Sequence, residues 1–386
     1  MNYGLLKYFY KYIFFSRTRQ KLIFLSIIGL LISTFSLTVL QGVMGGLQNG
    51  LVGRSKKVLG QGFFDVSKLS PDALEEFQKQ LIEKDIKFVP ELELELMVQN
   101  ENYVSPAILH GLDFSIHVPR FLQHKDHQGI VLGSDLGRDL RTFFGSMLMV
   151  TSPGHVEVIF REIPLQSRIS VTDFYTSQLP EIDKVHGWVR LGFLQNMIRK
   201  RMINKLRVYG EKVDNDLLRE YSKNFQSPYI SWEEQNSTLV YALGLETKVM
   251  MFLFMGASFL IGICITSGFL IFYNKVKIDM ASFWILGLSK EKLFKLVYSF
   301  GQSLSIIFCL LGVVLGILFL ILLDTNHFIL MPEHFVERNI PVKLDFIHWV
   351  VAFIVPYFVA SVFTHLTFRV FKKENYSFIS LIRKVG

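Results

Sequence analysis

The chain has 386 residues, half of them hydrophobic (50%) and 36 of them phenylalanine, with a mean hydropathy of +0.34 and a formal charge of +8. That is too apolar for a soluble protein of this length and makes a membrane protein the default. The positive charge collects beside apolar runs, so it speaks for membrane topology and against nucleic acid as a partner.

Residues 1–58 open with Lys7, Lys11, Arg17, Arg19 and Lys21, without an acid, and then run uncharged from Leu22 to Gly53. A hydrocarbon core about 30 Å thick needs roughly 20 helical residues, so this run can span it. The h-region of a cleaved signal peptide is usually about 7 to 15 residues long and ends in an A-x-A-like site, neither of which fits here. Gly42, Gly45, Gly46, Gly50 and Gly53 weaken the far end as a helix in water. They either let another helix approach closely or simply loosen the exit from the membrane.

Residues 59–230 read as an α+β domain. Ser70, Pro71 and Asp72 predict a helix start, with Leu74, Phe77 and Leu81 on one face until about Lys84. Leu92, Leu94, Leu96 and Val98 alternate as a strand with one buried side. A helix is expected from Asp135 to Phe144, and strands at Met147–Thr151 and Val156–Phe160. The two cysteines, Cys264 and Cys309, lie in later apolar runs, so an ordinary core must hold this domain. His117, His124 and His127, near Asp126, have no common metal-site spacing and read as a polar loop, and no metal ligand set is assigned.

Residues 231–274 form a stalk and a second span. Ser231, Trp232, Glu233 and Glu234 make a capping-box pattern, and one helix is expected from Trp232 to about Asn274, on the order of 60 Å long. In the loop 275–296, Met280, Phe283, Trp284 and Gly287 share a helical face. A short amphipathic helix there would lie on the bilayer with its aromatic face exposed, or dock into a groove on a partner. A third span at 297–323, a loop at 324–345, a fourth span at 346–368 and a tail at 369–386 complete the chain. His348 and His365 sit near the ends of the last span, as interfacial residues or as a proton relay.

Basic residues mark the untranslocated side of a membrane protein. The N-terminal segment, the loop with Lys275, Lys277, Lys290, Lys292 and Lys295, and the tail with Arg369, Lys372, Lys373, Arg383 and Lys384 are therefore expected in the cytoplasm. Met44–Thr247, with 23 basic and 26 acidic residues, and the acidic loop Asp324–Asp345 face outward. The fold class expected is a membrane protein of four transmembrane helices with an inserted outer α+β domain and both termini cytoplasmic.

Several segments resemble the lipoprotein-releasing ABC transporter permeases, the LolC and LolE family within the MacB-like and FtsX-like permeases. Val43–Asn49 resembles the family's sequence beyond its first span. Ser231–Asn236 leading to Leu239, Ala242, Leu243, Leu245, Glu246 and Met250 resembles its stalk, and Asp279–Gly287 its coupling helix. Met331, Pro332, Phe335, Ile340, Pro341 and Val342 resemble its last outer loop, and Gly111–Phe114 and Gly129–Gly145 with Ser152 and Pro153 parts of its outer domain. Asp279 and Trp284 depart from the Glu and Arg common in the family.

The resemblance implies a non-enzymatic permease of the Gram-negative inner membrane with a periplasmic domain, paired with a second copy or a paralogue over an ABC ATPase dimer. ATP and Mg would be bound by that ATPase and no cofactor by this chain, which has no G-x-x-x-x-G-K-S/T loop. Asp279, Met280, Phe283, Trp284, Gly287 and Leu288 would meet the ATPase. Phe35, Leu40, Met44, Met250, Phe254 and Ala257 would line a groove for an acylated lipoprotein taken laterally from membrane lipid, or serve in plain packing. Pro153, Gly154, Phe160, Pro164 and Arg168 would form the loop that hands cargo to a periplasmic lipoprotein carrier, or an ordinary hairpin connection. The alternative is an FtsX-like permease that signals across the membrane without transport. No H-E-x-x-H or G-x-S-x-G motif points to a membrane enzyme.

Overall fold

The computed structural model describes residues 21–126, 128–157, 163–210, 215–326 and 341–373. The basic residues Lys7 to Arg19, His127, Phe160, and Met331, Pro332, Phe335 and Ile340 lie outside them, as does the tail beyond Lys373. The chain divides into two compact units: Gly50–Ala242, and the residues up to Asn49 with those from Leu243. Both divisions fall inside helices, nine and twelve residues away from the expected domain limits at 58 and 230.

In chain order the first unit takes the last turns of α1 (Lys21–Leu59), then β1 (Gly62–Asp65), α2 (Pro71–Glu83), β2 (Lys87–Asn100), β3 (Tyr103–Leu112), β4 (Ile130–Gly133) and α3 (Ser134–Asp139). There follow β5 (Met147–Glu157), β6 (Ile163–Tyr175), α4 (Pro180–Asp183), β7 (His186–Arg190), α5 (Leu191–Ile198), β8 (Lys205–Tyr209), α6 (Asn215–Asn224), β9 (Tyr229–Ser231) and α7 (Trp232–Gln235). The sheet order is β3-β7-β4-β6-β5-β2-β8-β1-β9, and β3 pairs with β2 as well. That last pairing closes β2, β3, β7, β4, β6 and β5 into a barrel, which abolishes their edges. β8, β1 and β9 continue outward from the start of β2 as a smaller flap. β2 belongs to both: Lys87–Glu91 pair with β8 and Met97–Gln99 with β5, while Glu91–Asn100 pair with β3 on the other side.

Each part has its own core. Leu92, Leu96, Val98, Leu109, Ile130, Leu132, Leu148 and Val150 pack with Leu136 of α3 and Leu194 of α5. In the flap, Phe64, Phe88, Leu206 and Val208 pack with Phe77 and Leu81 of α2 and Leu218 of α6. Phe77 and Leu81 are fully buried, which stabilises the docking of α2 by roughly 1.5–3 kcal/mol each. The cap expected at Ser70 is present, its Oγ accepting from the Ala73 amide at 3.4 Å.

Two expectations are corrected in this unit. The helix expected from Asp135 to Phe144 stops at Asp139: Arg141 turns to φ 50 and the Thr142 amide closes back on the Gly137 carbonyl at 2.9 Å, leaving Phe143 and Phe144 74% and 70% exposed beyond it. The runs Met147–Thr151 and Val156–Phe160 are not separate strands within the described residues; β5 passes through both as far as Glu157, with a register shift between Ser152 and Val156.

The other unit holds most of α1, α8 (Ser237–Ile285), α9 (Lys290–Asn326) and α10 (Phe346–Lys373). Four helices, Phe24–Leu59, Ser237–Asn274, Lys290–Thr325 and Phe346–Lys372, are long and apolar enough to cross a bilayer, as a membrane protein carrying an α+β domain requires. α1 packs on α9 through small residues: a Cβ on Gly312 would meet Thr34 Oγ1 at 2.2 Å. Gly46 lies so close to the Pro341 carbonyl that a Cβ would sit 2.0 Å from its oxygen, and the Lys343 amide donates to the Gly42 carbonyl at 3.0 Å. Close packing is therefore what Gly42 and Gly46 serve, whereas Gly53 has open space. Phe272, Tyr273, Phe300 and Phe371 gather at the other end of the bundle.

The long helix expected from Trp232 to Asn274 is also different in detail. The capping box forms, with Ser231 and Glu234 bonding each other's backbone. The helix then breaks at Asn236, whose side chain turns back onto the Trp232 carbonyl at 2.9 Å. α8 restarts at Ser237 and runs past Asn274 to Ile285, absorbing the short separate helix expected in the following loop.

Candidate functional site

The α8–α9 turn is a helix end stopped by glycine. Gly287 has φ +96, its amide donates to the Trp284 carbonyl at 3.0 Å, and the Leu288 amide donates to the Phe283 carbonyl at 3.2 Å. These two bonds make a Schellman motif, which only glycine enters cheaply at that position. The arrangement turns the expected aromatic face inward. Met280 is fully buried, and Phe283, Trp284 and Leu288 pack against the bundle core. What projects is Ile285, 62% exposed, and Leu286, 78% exposed, with Ser282 and Gly287. Asp279 is half-buried. Of the six residues expected to meet a partner, the structure presents Gly287 fully, and it adds Ile285 and Leu286, which patterning alone passes over as part of a hydrophobic run.

α1 and α8 are tied at two levels. Ser26 donates to the Cys264 carbonyl at 2.9 Å and Ser33 lies 3.4 Å from Ser258, while Gln48 donates to Thr247 Oγ1 at 3.3 Å and to Glu246 at 3.4 Å. Between these ties fall the expected groove residues. Leu40, Met44, Met250 and Phe254 are half-buried and Ala257 is exposed. Phe35 turns instead to α9, its ring edge-on to Phe319 at 5.7 Å. A cleft among α1, α8 and α9 does exist, but it is lined by Ser26, Ile27, Leu30, Ile265, Gly268, Phe269, Leu304 and Ser305, none of them among the expected groove residues. The described residues leave Phe252, Leu253 and Leu260 of α8 uncovered, each more than half exposed, while Phe259 sets its ring edge-on to Phe363 at 5.0 Å.

The expected carrier loop is a β-hairpin arm. Ser152–Glu157 of β5 pair with Ile163–Leu165 of β6 beyond the point where β2 stops pairing with β5 at Thr151. Pro153, Gly154 and Pro164 are exposed along it, whereas Arg168, also exposed, pairs with Met149 in the barrel wall. Ser152, buried, holds His155 Nδ1 at 2.9 Å and anchors the irregular stretch.

The α+β domain also holds a buried charge network that sequence patterning does not reveal. Glu91 is completely buried on β2 and takes the Arg207 guanidinium of β8 on both oxygens and His110 Nδ1 of β3 on one. Arg207 also donates to Glu93 at 2.8 Å, and Lys205 lies 2.6 Å from the other oxygen of Glu93. His110 Nε2 meets His186 Nδ1 of β7 at 2.6 Å, and Trp188 stacks over both rings. Burial opposes ionisation of Glu91, but Arg207 and His110 outweigh it and hold the carboxyl well below the usual range. Burial, then His110 and Arg207, push His186 down to about 3. Donor atoms of Glu91, Glu93 and His110 lie within 4.8 Å of one another, as a metal site would need. Arg207 and Lys205 already neutralise those carboxylates, so the cluster is a balanced ion network. The sequence signal here is the alternation of Glu91, Glu93 and Glu95 with leucines, which places all three acids on a solvent face. Glu91 is buried because His110 of β3, Arg207 of β8 and the end of α1 that Arg207 bonds lie over its side of the sheet.

Neither models of known protein families nor curated proteins give a match to this sequence.

Proposed function

We propose that this chain is the permease subunit of an ABC transporter that extracts lipoproteins from the bacterial inner membrane and passes them to a periplasmic carrier, driven by separate ATPase subunits. The observation that carries it is the pair α1 and α8, the two apolar helices that lead into and out of the folded domain. They are joined by sparse polar ties, and the apolar outer side of α8 is left uncovered by the described residues. An acyl chain entering sideways from the bilayer needs such a face, and flexible Met44 and Met250 suit it. The exposed turn at Ile285–Gly287 supports an ATPase contact, because a rigidly capped helix pair passes a push along its axes. The protruding β5–β6 arm supports a carrier contact. The resemblance of Val43–Asn49, Ser231–Asn236 and Asp279–Gly287 to lipoprotein-releasing permeases favours the same reading, with both termini cytoplasmic, the α+β domain periplasmic and a second permease copy or paralogue alongside.

Co-purification in mild detergent tests it, with mass spectrometry for a P-loop ATPase and for acylated lipoprotein. Both should be recovered, and Leu286→Asp should lose the ATPase while keeping the lipoprotein. An ATPase without lipoprotein favours the signalling alternative, and no ATPase at all ends the transporter reading.

A further inference from the structure

The last turn of α1 is held by side chains of β8. Arg207 Nη1 donates to the Leu59 carbonyl at 2.7 Å and the Tyr209 hydroxyl to the Val58 carbonyl at 3.3 Å, so two of the carbonyls that a helix end leaves without intrahelical partners are satisfied from the sheet. A guanidinium at a helix C-terminus also complements the helix dipole. The same guanidinium cannot swing away, because buried Glu91 takes it on both carboxylate oxygens and half-buried Glu93 takes it on another. On the far side of the turn, Trp232 Nε1 donates to Ser55 Oγ at 2.9 Å and Lys56 lies 2.6 Å from Glu233. The backbone then enters the sheet at once, the Gln61 amide donating to the Val208 carbonyl at 2.8 Å.

We propose that Arg207, locked by Glu91, is the positioning residue that makes the end of α1 and the β-domain one mechanical body, so that movement of α1 reaches the domain instead of dissipating in a linker. A surface salt bridge or a simple cap needs no second carboxylate and no burial. A buried ion network fixes one geometry and is intolerant of partial rearrangement, which is what a joint under load requires. Its role in coupling rests on the permease reading, whereas its role in holding α1 does not.

The test uses the full chain in nanodiscs with Cys264 and Cys309 replaced by Ala and spin labels at Lys57→Cys and Lys84→Cys, both within the Gly50–Ala242 unit. Glu91→Gln with Arg207→Met removes the pair together, so that no buried charge is stranded. Tyr209→Phe removes only the Val58 bond and leaves the charges in place. The distance distribution should be narrow in the parent, broad in the double variant and intermediate in Tyr209→Phe, with tryptophan emission still native. With the co-purifying ATPase and a triacylated lipoprotein in the same disc, ATP turnover should persist while lipoprotein released per ATP falls about tenfold. An unchanged distribution in both variants overturns the proposal. A broadened one with undiminished release per ATP overturns the coupling role. If the parent releases no lipoprotein, the permease reading fails and the distances alone decide whether Arg207 is the joint. Should the double variant unfold, Arg207→Lys, which keeps a charge against Glu91 but removes the guanidinium donor to the Leu59 carbonyl, decides the matter by the same two readouts.

Discussion

His186 and Glu91 set an acid limit on the α+β domain. An unfolded histidine titrates near 6.5, and His186 in the folded chain at about 3. Between those values the unfolded chain binds a proton that the folded one does not, so stability falls as the pH falls, by about 1.4 kcal/mol per unit at most. Glu91 adds to this in the same direction at lower pH. Its carboxyl is held below the usual range, so its contribution is present above about pH 4.5 and is lost as the pH drops through the folded value. Denaturant melts of the full chain followed by Trp188 and Trp232 emission should show that slope between pH 6.5 and 4, and His186→Asn should flatten most of it. Equal slopes in the two proteins would remove His186 from the account. In the bundle, the hydroxyl of fully buried Tyr273 has no hydrogen-bond partner among the described residues, and neither has Thr364 Oγ1, although both lie against Gly301. An unsatisfied buried polar atom costs about 1–3 kcal/mol, so Tyr273→Phe should raise the melting temperature in detergent.

At the scale of elements, the turn between α8 and α9 separates burial from exposure within four residues. Leu286→Asp should leave folding intact and abolish partner binding, whereas Met280→Ala should lower stability by about 2–5 kcal/mol through a core cavity. Thermal melts paired with a pull-down distinguish the two, and equal loss of stability would mean that Leu286 is not free. The sequence is legible where a local rule decides. Ser70 and Ser231 cap as their side chains predict, and Leu92, Leu96 and Val98 face the core. It misleads where tertiary cover decides. Periodicity puts Met280, Phe283 and Trp284 on one face but cannot tell whether that face meets solvent or the neighbouring helices. The same applies to Glu91, whose burial comes from a strand more than a hundred residues away. Closure of the barrel is equally invisible, since the pairing of β3 with β7 and of β4 with β6 is parallel and depends on long connections.

For the whole molecule, the distribution of charge predicts sidedness. In intact cells a membrane-impermeant maleimide should label a cysteine at Lys200, which is exposed in the α+β domain, and spare one at Leu286 until the membrane is opened. The reverse pattern would invert the proposed topology and with it every assignment of partner to face. How the domain comes apart follows from β2. Fourteen residues long, it is a wall of the barrel at one end and the hinge-side strand of the flap at the other. The barrel and the flap have separate cores and their pairings along β2 meet at Glu91 alone, where the side chain holds Arg207 of β8 and His110 of β3 together and so ties two prospective foldons into one cooperative unit. Amide exchange along Phe88–Val98 should accordingly be the slowest in the domain and uniform from end to end, so that proteases and chaperones would meet the domain either whole or wholly unravelled.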